Sequence, residues 1–79
     1  MEKFTVRLYK LVGNSVEIKQ DIPGCEESEA RNIAIRHAIE HRFTNVKFID
    51  DEGYGELRVT ATTPNGRAGR NIGTITPDC

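Results

Sequence analysis

The chain has 79 residues, with 12 acidic and 11 basic side chains and a formal net charge of −1. That length supports one domain near the lower limit for a self-sufficient core, with room for a helix on a sheet and little for a deep enzyme cleft. The near-neutral charge favours neither nucleic acid nor an anionic membrane as a partner, and no signal peptide or long apolar run is visible at the start.

In chain order, Phe4, Val6 and Leu8 alternate with Thr5, Arg7 and Tyr9, which predicts a strand with two usable faces. Gly13-Asn14-Ser15 reads as a turn, and Val16 and Ile18 alternate with Glu17 and Lys19 as the returning strand of a hairpin. Ile22-Pro23-Gly24 is a stop-and-turn signal.

Glu26 to Arg42 is the segment with a strong helical period. Ala30, Ala34, Ala38, Ile35 and Ile39 are expected on the buried arc, with Ile33 at its margin and Glu29, Asn32, Arg36 and Glu40 opposite. Acids in the first turn and Arg42 in the last suit the helix dipole. Glu27 and Arg31 have the spacing of a surface ion pair. A face of alanines predicts a helix lying close on a sheet.

Beyond the helix, Thr44-Asn45 reads as a short link and Val46 to Ile49 as a third strand. Asp50 to Gly55 reads as an acidic, glycine-containing turn. Leu57, Val59 and Ala61 alternate with Arg58, Thr60 and Thr62 as a fourth strand. Pro64-Asn65-Gly66 is a hairpin signal. Arg67 to Thr76 is expected either as a weak fifth strand, interrupted by Gly69 and Gly73, or as a flexible arm. The expected fold is α+β: a single helix packed on an antiparallel sheet of four to five strands, in the order β-β-α-β-β with an optional last strand.

Several constellations invite chemistry. His37-Ala38-Ile39-Glu40-His41 has the H-x-x-E-H order of inverted zincin peptidases, which need a further acidic ligand and a much larger chain. A zinc held by Cys25, His37, His41 and Cys79 is a second metal reading, with isolated cysteines and one of them at the chain end. The contrary reading places both histidines at the edge of the apolar face. Gly53-Tyr54-Gly55 stands between strands, where no helix supplies the amides of a phosphate cradle. Asp50-Asp51-Glu52-Gly53 lacks the spaced oxygens of a calcium loop. No catalytic residue, metal or cofactor is therefore assigned. The two cysteines, Cys25 and Cys79, read as free thiols of a reduced cytosolic protein, although a disulfide between them is compatible with the sequence.

Charge is unevenly placed. Asp50 to Glu56 holds four acids and no base, whereas Leu57 to Pro77 holds Arg58, Arg67 and Arg70 and no acid. On a paired ribbon the three arginines would share a surface suited to a protein interface or to phosphate. With Tyr54, Asp50, Asp51 and Glu52 they form the candidate binding surface, the other reading being ordinary solvated side chains. Burial of further apolar surface in a homodimer would also suit so small a chain.

A strand hairpin, a helix opening Ser28-Glu29-Ala30-Arg31, and an antiparallel pair (Val46 to Asp50, Glu56 to Thr62) with an arginine-bearing tail resemble small phage-encoded anti-CRISPR proteins. The nearest are the type I-F inhibitors with one helix against an antiparallel sheet. The resemblance is architectural. It implies a non-enzymatic inhibitor in the host cytoplasm that binds a larger protein or ribonucleoprotein complex and blocks its engagement of nucleic acid. Ile22-Pro23-Gly24-Cys25 followed by an acidic, alanine-rich helix is similar to HicB-type antitoxins, and implies a nucleic-acid-binding regulator instead. That family usually has a further strand before the helix and a longer carboxy-terminal segment, both missing here.

Overall fold

The computed structural model describes residues 3–12, 15–51 and 55–78, with Asp51 as backbone only. Its elements are β1 (Lys3–Val12), β2 (Ser15–Cys25), α1 (Glu27–Glu40), β3 (Thr44–Asp51), β4 (Glu56–Thr62) and β5 (Arg70–Asp78). The five strands form one antiparallel sheet in the order β2-β1-β5-β4-β3. The expected α+β class and element order are observed. The fifth strand, left optional by the sequence, is the middle of the sheet.

Alternation decides which face is buried, because successive side chains of a strand point to opposite sides. Cross-strand register sets Ile22, Val6, Ile75 and Leu57 in one row and Leu8, Gly73, Val59 and Phe48 in the next. Val6, Val59 and Ile75 are fully buried. Ala30, Ala34 and Ala38 close this layer from the helix, and their short side chains let α1 lie against the sheet.

The buried arc of α1 differs from the expected one. Ile35 and Ile39 are 38% and 69% exposed, and His37 takes a buried place beside the alanines. The reason is angular. At about 100° per residue, Ile35 and Ile39 stand roughly 140° and 180° from Ala30, whereas His37 stands about 20° away. The alanines and His37 define the inward direction, and the two isoleucines are carried outward. The expected Glu27–Arg31 pair forms at 3.2 Å, and the Arg31 guanidinium lies over the Phe48 ring at 5.0 Å.

The ends of α1 are fixed locally. Glu29 reaches back to the Glu26 backbone N–H at 3.4 Å. At the other end Phe43 N–H donates to the Ala38 carbonyl and Arg42 N–H to that of Ile39, with Arg42 in the left-handed region at φ 60°. This is a Schellman closure made without glycine, and it turns Phe43 into the core.

Three expected turns and links belong to strands. The Pro23-Gly24 pair does not stop β2. It forms a bulge between the Phe4–Cys25 and Val6–Ile22 partners, with Gly24 at φ 73°. Asn45 is a bulge residue inside β3, at φ 54°, and Asp50 and Asp51 continue that strand rather than opening a turn. Between β4 and β5, Gly66 N–H donates to the Thr63 carbonyl as the Pro-Asn-Gly signal predicts, but residues 67–69 extend the loop before β5 begins. The Gly13-Asn14 signal and residues 52–54 lie outside the described residues.

A helix of 14 residues is about 21 Å long, whereas a ten-residue strand approaches 34 Å. The helix cannot cover the hairpin to its tip, where Val12 and Val16 are exposed; Ile18, opposite Tyr9, is exposed on the face that α1 does not cover.

Candidate functional site

One face of the sheet carries α1 and the other carries no element of the described chain. The uncovered face is built from the strand positions that alternate with the core: Thr5, Arg7 and Tyr9 on β1, Thr74 and Thr76 on β5, Arg58, Thr60 and Thr62 on β4, and Lys47 and Ile49 on β3. Thr60 and Thr74 are 7% and 9% exposed although they belong to this face. They sit in the inner strands, between longer side chains of their neighbours (Lys47 opposite Thr60, Arg7 and Arg58 on either side of Thr74).

Two open depressions divide the face. The larger, about 820 Å³, is lined by Asn45, Lys47, Ile49, Arg58, Thr60, Thr62, Ala68, Gly69 and Asn71, with two cations and, among the described residues, no acid. The smaller, about 380 Å³, is lined by Thr5, Arg7, Tyr9, Glu56, Thr74, Thr76 and Asp78. Here Arg7 is committed to Asp21, with bonds of 2.8 and 3.1 Å to its two carboxylate oxygens. The hydrogen bond and charge of that guanidinium lower the Asp21 carboxyl below its usual range and raise Arg7 in turn. Asp78 accepts from the Thr5 hydroxyl and from the Gly24 N–H, which ties the end of β5 to the β2 bulge. Among the described residues the larger depression is thus lined by cations alone, and the smaller by both signs, with Glu56 of β4 and Asp78 of β5 beside Arg7.

The candidate surface read from sequence is only partly brought together. Arg58 pairs with Ile49 and Thr74 and lies on the uncovered face. Arg70 pairs with Ala61, a core residue, so its register is that of the helix-bearing side. Arg67 belongs to the loop, where its backbone N–H donates to the Thr63 hydroxyl at 3.0 Å. The three arginines do not form one ribbon surface, and each has interactions of its own within the chain. Asp50 pairs with Leu57 and shares its helix-side register. Asp51 pairs with Glu56 as backbone, and Glu52 and Tyr54 lie outside the described residues. The sequence reading missed Asn45, Lys47 and Asn71. Lys47 was legible as the alternate of Val46 and Phe48, but Asn45 and Asn71 are placed by bulges.

The histidine motif sits elsewhere. His37 is 3% exposed, and its Nε2–H donates to the Tyr9 carbonyl at 2.9 Å. That assigns the lone pair to Nδ1, which is buried without a partner among the described residues. Burial pushes His37 below the ordinary imidazole range, against the opposing effect of the Tyr9 hydrogen bond. His41 is exposed, meets His37 edge to face with 4.6 Å between ring centroids, and lies 3.4 Å from the Lys19 ammonium. His37 serves as a bolt between α1 and β1. Among the described residues, no three His, Cys, Asp or Glu side chains are grouped to hold a metal ion. Cys25 is buried, and desolvation, then the charges of Glu29 and Asp78, raise its thiol pKa.

No helix of the described chain is long and apolar enough to cross a membrane. Compared with protein-family models, curated proteins and solved structures, the chain matches none.

Proposed function

We propose that this protein is a non-catalytic inhibitor that works inside a host cell by occupying a surface of a larger assembly, a CRISPR surveillance complex, and blocking its engagement of nucleic acid. The observation that carries the reading is the uncovered face of the sheet. It is broad and open, and its depressions are lined mainly by arginine, lysine, threonine and asparagine, with Tyr9, Ile49, Glu56 and Asp78 among them. A small-molecule site encloses most of its ligand, whereas a protein interface spreads over about 800 Å² on each partner. That is about 15% of this chain's 5179 Å² of accessible surface, an area that one face of a five-stranded sheet can supply. The anti-CRISPR part of the reading draws on small size and on the one-helix, antiparallel-sheet architecture.

The test is reconstitution. The purified protein is mixed with a purified type I-F surveillance complex and resolved by size exclusion, and target DNA binding is measured by gel shift. Co-elution with loss of the DNA complex is expected. Separate elution with undiminished DNA binding would remove this function.

A further inference from the structure

The two edges of the sheet are unlike. β2 is interrupted at Lys19, which falls between the Leu8–Gln20 and Tyr9–Ile18 pairs, and again at Pro23-Gly24. Bulges and proline blunt an edge against further pairing. β3, at the other edge, has its bulge at Asn45 and then keeps unbroken register with β4 from Lys47 to Asp51. On its outer side β3 pairs with no strand of the described chain. Backbone donors and acceptors left in that way are a template for one more strand.

Charge along this run selects which strand. By register Asp51 stands opposite Glu56, two acids in one pair, and like charges directly opposite are unfavourable. Lys47 has no ion pair among the described residues. An added antiparallel strand keeps the two faces of the sheet distinct when residues of like alternation meet. A second β3 satisfies this with Ile49 opposite its own copy. Each Lys47 then stands opposite Asp51 of the other chain, so the lysine gains an acid and the acidic pair gains a cation. The two Ile49 side chains, each 44% exposed in the single chain, meet at the two-fold axis on the uncovered face. On the helix side Asp50 falls opposite Phe48 of the second copy, whose ring carries the Arg31 guanidinium that Glu27 also engages. Centring on Phe48 instead would set Lys47 opposite Ile49, and centring on Asp50 would set that acid opposite itself.

We propose that the chain forms a homodimer by antiparallel pairing of β3 with β3 of a second copy, centred on Ile49. The pairing joins two five-stranded sheets into one, with both helices on the same side. It is independent of what the uncovered face engages.

The contact is short beside the roughly 800 Å² that a standard interface covers on each partner, so the association is weak. Sedimentation equilibrium of the purified full chain, from about 5 to about 500 μM, should show the mass rising from one chain towards two. Lys47→Asp sets two acids opposite each other across the axis, and Asp51→Lys sets two lysines. Each substitution, in a chain with the circular dichroism of the parent, should weaken the dimer by about tenfold or more. An equimolar mixture of the two variants should recover the affinity of the parent, because each then offers the other an opposite charge at both positions. In the parent itself, amide hydrogen exchange within residues 47–51 should slow as concentration rises, with β2 unchanged. A parent that stays single at the highest concentration, single variants that associate as the parent does, a mixture no tighter than its components, or protection gained at β2 instead would each overturn the proposal.

Discussion

Gly73→Ala adds one methyl group at the centre of the sheet, between Leu8 of β1 and Val59 of β4. A Cβ there would stand 2.8 Å from the Arg7 carbonyl oxygen and 3.7 Å from Leu8 Cδ2. Carbon and carbonyl oxygen ordinarily approach no closer than about 3.3 Å, so the strands must give by about half an ångström. The obstruction is backbone, so no side chain can rotate away. Either β1 and β5 separate, with a ladder hydrogen bond weakened by about 1 kcal/mol, or the overpacking is absorbed elsewhere at about 1–3 kcal/mol. Alanine restricts the unfolded chain and returns about 0.5–1 kcal/mol. The net expectation is a loss of up to about 2.5 kcal/mol. With a urea dependence of about 1 kcal/mol per molar, the unfolding midpoint should fall by up to about 2.5 M. Gly66→Ala is the comparison: nothing lies within 4 Å of its Cβ, and its φ of 87° alone is unfavourable, at about 1–2 kcal/mol. A Gly73→Ala midpoint at or above that of the parent would refute the close packing of β1 on β5.

Other consequences follow from the same geometry. The folded His37 pKa is depressed, so on acidification the unfolded chain takes up this proton first, near the ordinary value of about 6.5. The stability due to neutral His37 is complete above that value and declines below it, by at most about 1.4 kcal/mol per pH unit. His37→Gln should flatten that decline in urea titrations between pH 7.5 and 5, and an unchanged slope would contradict the bolt. Ile39→Ala should alter stability by less than about 0.5 kcal/mol, because the side chain is 69% exposed. A loss of about 2 kcal/mol or more would instead mark a buried isoleucine. In a Cys79→Ser background, Cys25 should react slowly with iodoacetamide until urea unfolds the chain, since its thiol is buried and its pKa raised. Rapid alkylation in native buffer would place it at the surface.

The sheet was legible wherever alternation was unbroken. Phe4, Val6 and Leu8, and Leu57, Val59 and Ala61, announced both their strands and their buried face. Reading failed where one residue breaks the period for a tertiary reason. Gly73 weakens β5 by propensity, yet only glycine fits beside the Arg7 carbonyl in the middle of the sheet. Pro23-Gly24 and Asn45 are turn signals locally and bulges in the sheet. On α1, three alanines and three isoleucines compete to define the inward arc. Periodicity could not rank them, because the choice depends on how closely the helix approaches β1 and on the Tyr9 carbonyl that engages His37. For the candidate site, arginine content drew attention to residues 58, 67 and 70. Register then separated Arg58 from Arg70 and joined it to Lys47 and the two asparagines. Register is a property of pairing, and no run of residues within one strand encodes it.

The most direct measurement of the account is phage plating on a host with an active type I-F CRISPR system, expressing this protein or one of two surface variants. Lys47→Glu with Arg58→Glu replaces the two cations of the larger depression by carboxylates, and Arg36→Glu with Ile39→Glu adds two carboxylates on the exposed side of α1. The parent and the helix variant should restore plating, and the sheet-face variant, folded as judged by circular dichroism, should not. Restoration by the sheet-face variant, or its loss in the helix variant alone, would show that the working surface is not the uncovered sheet.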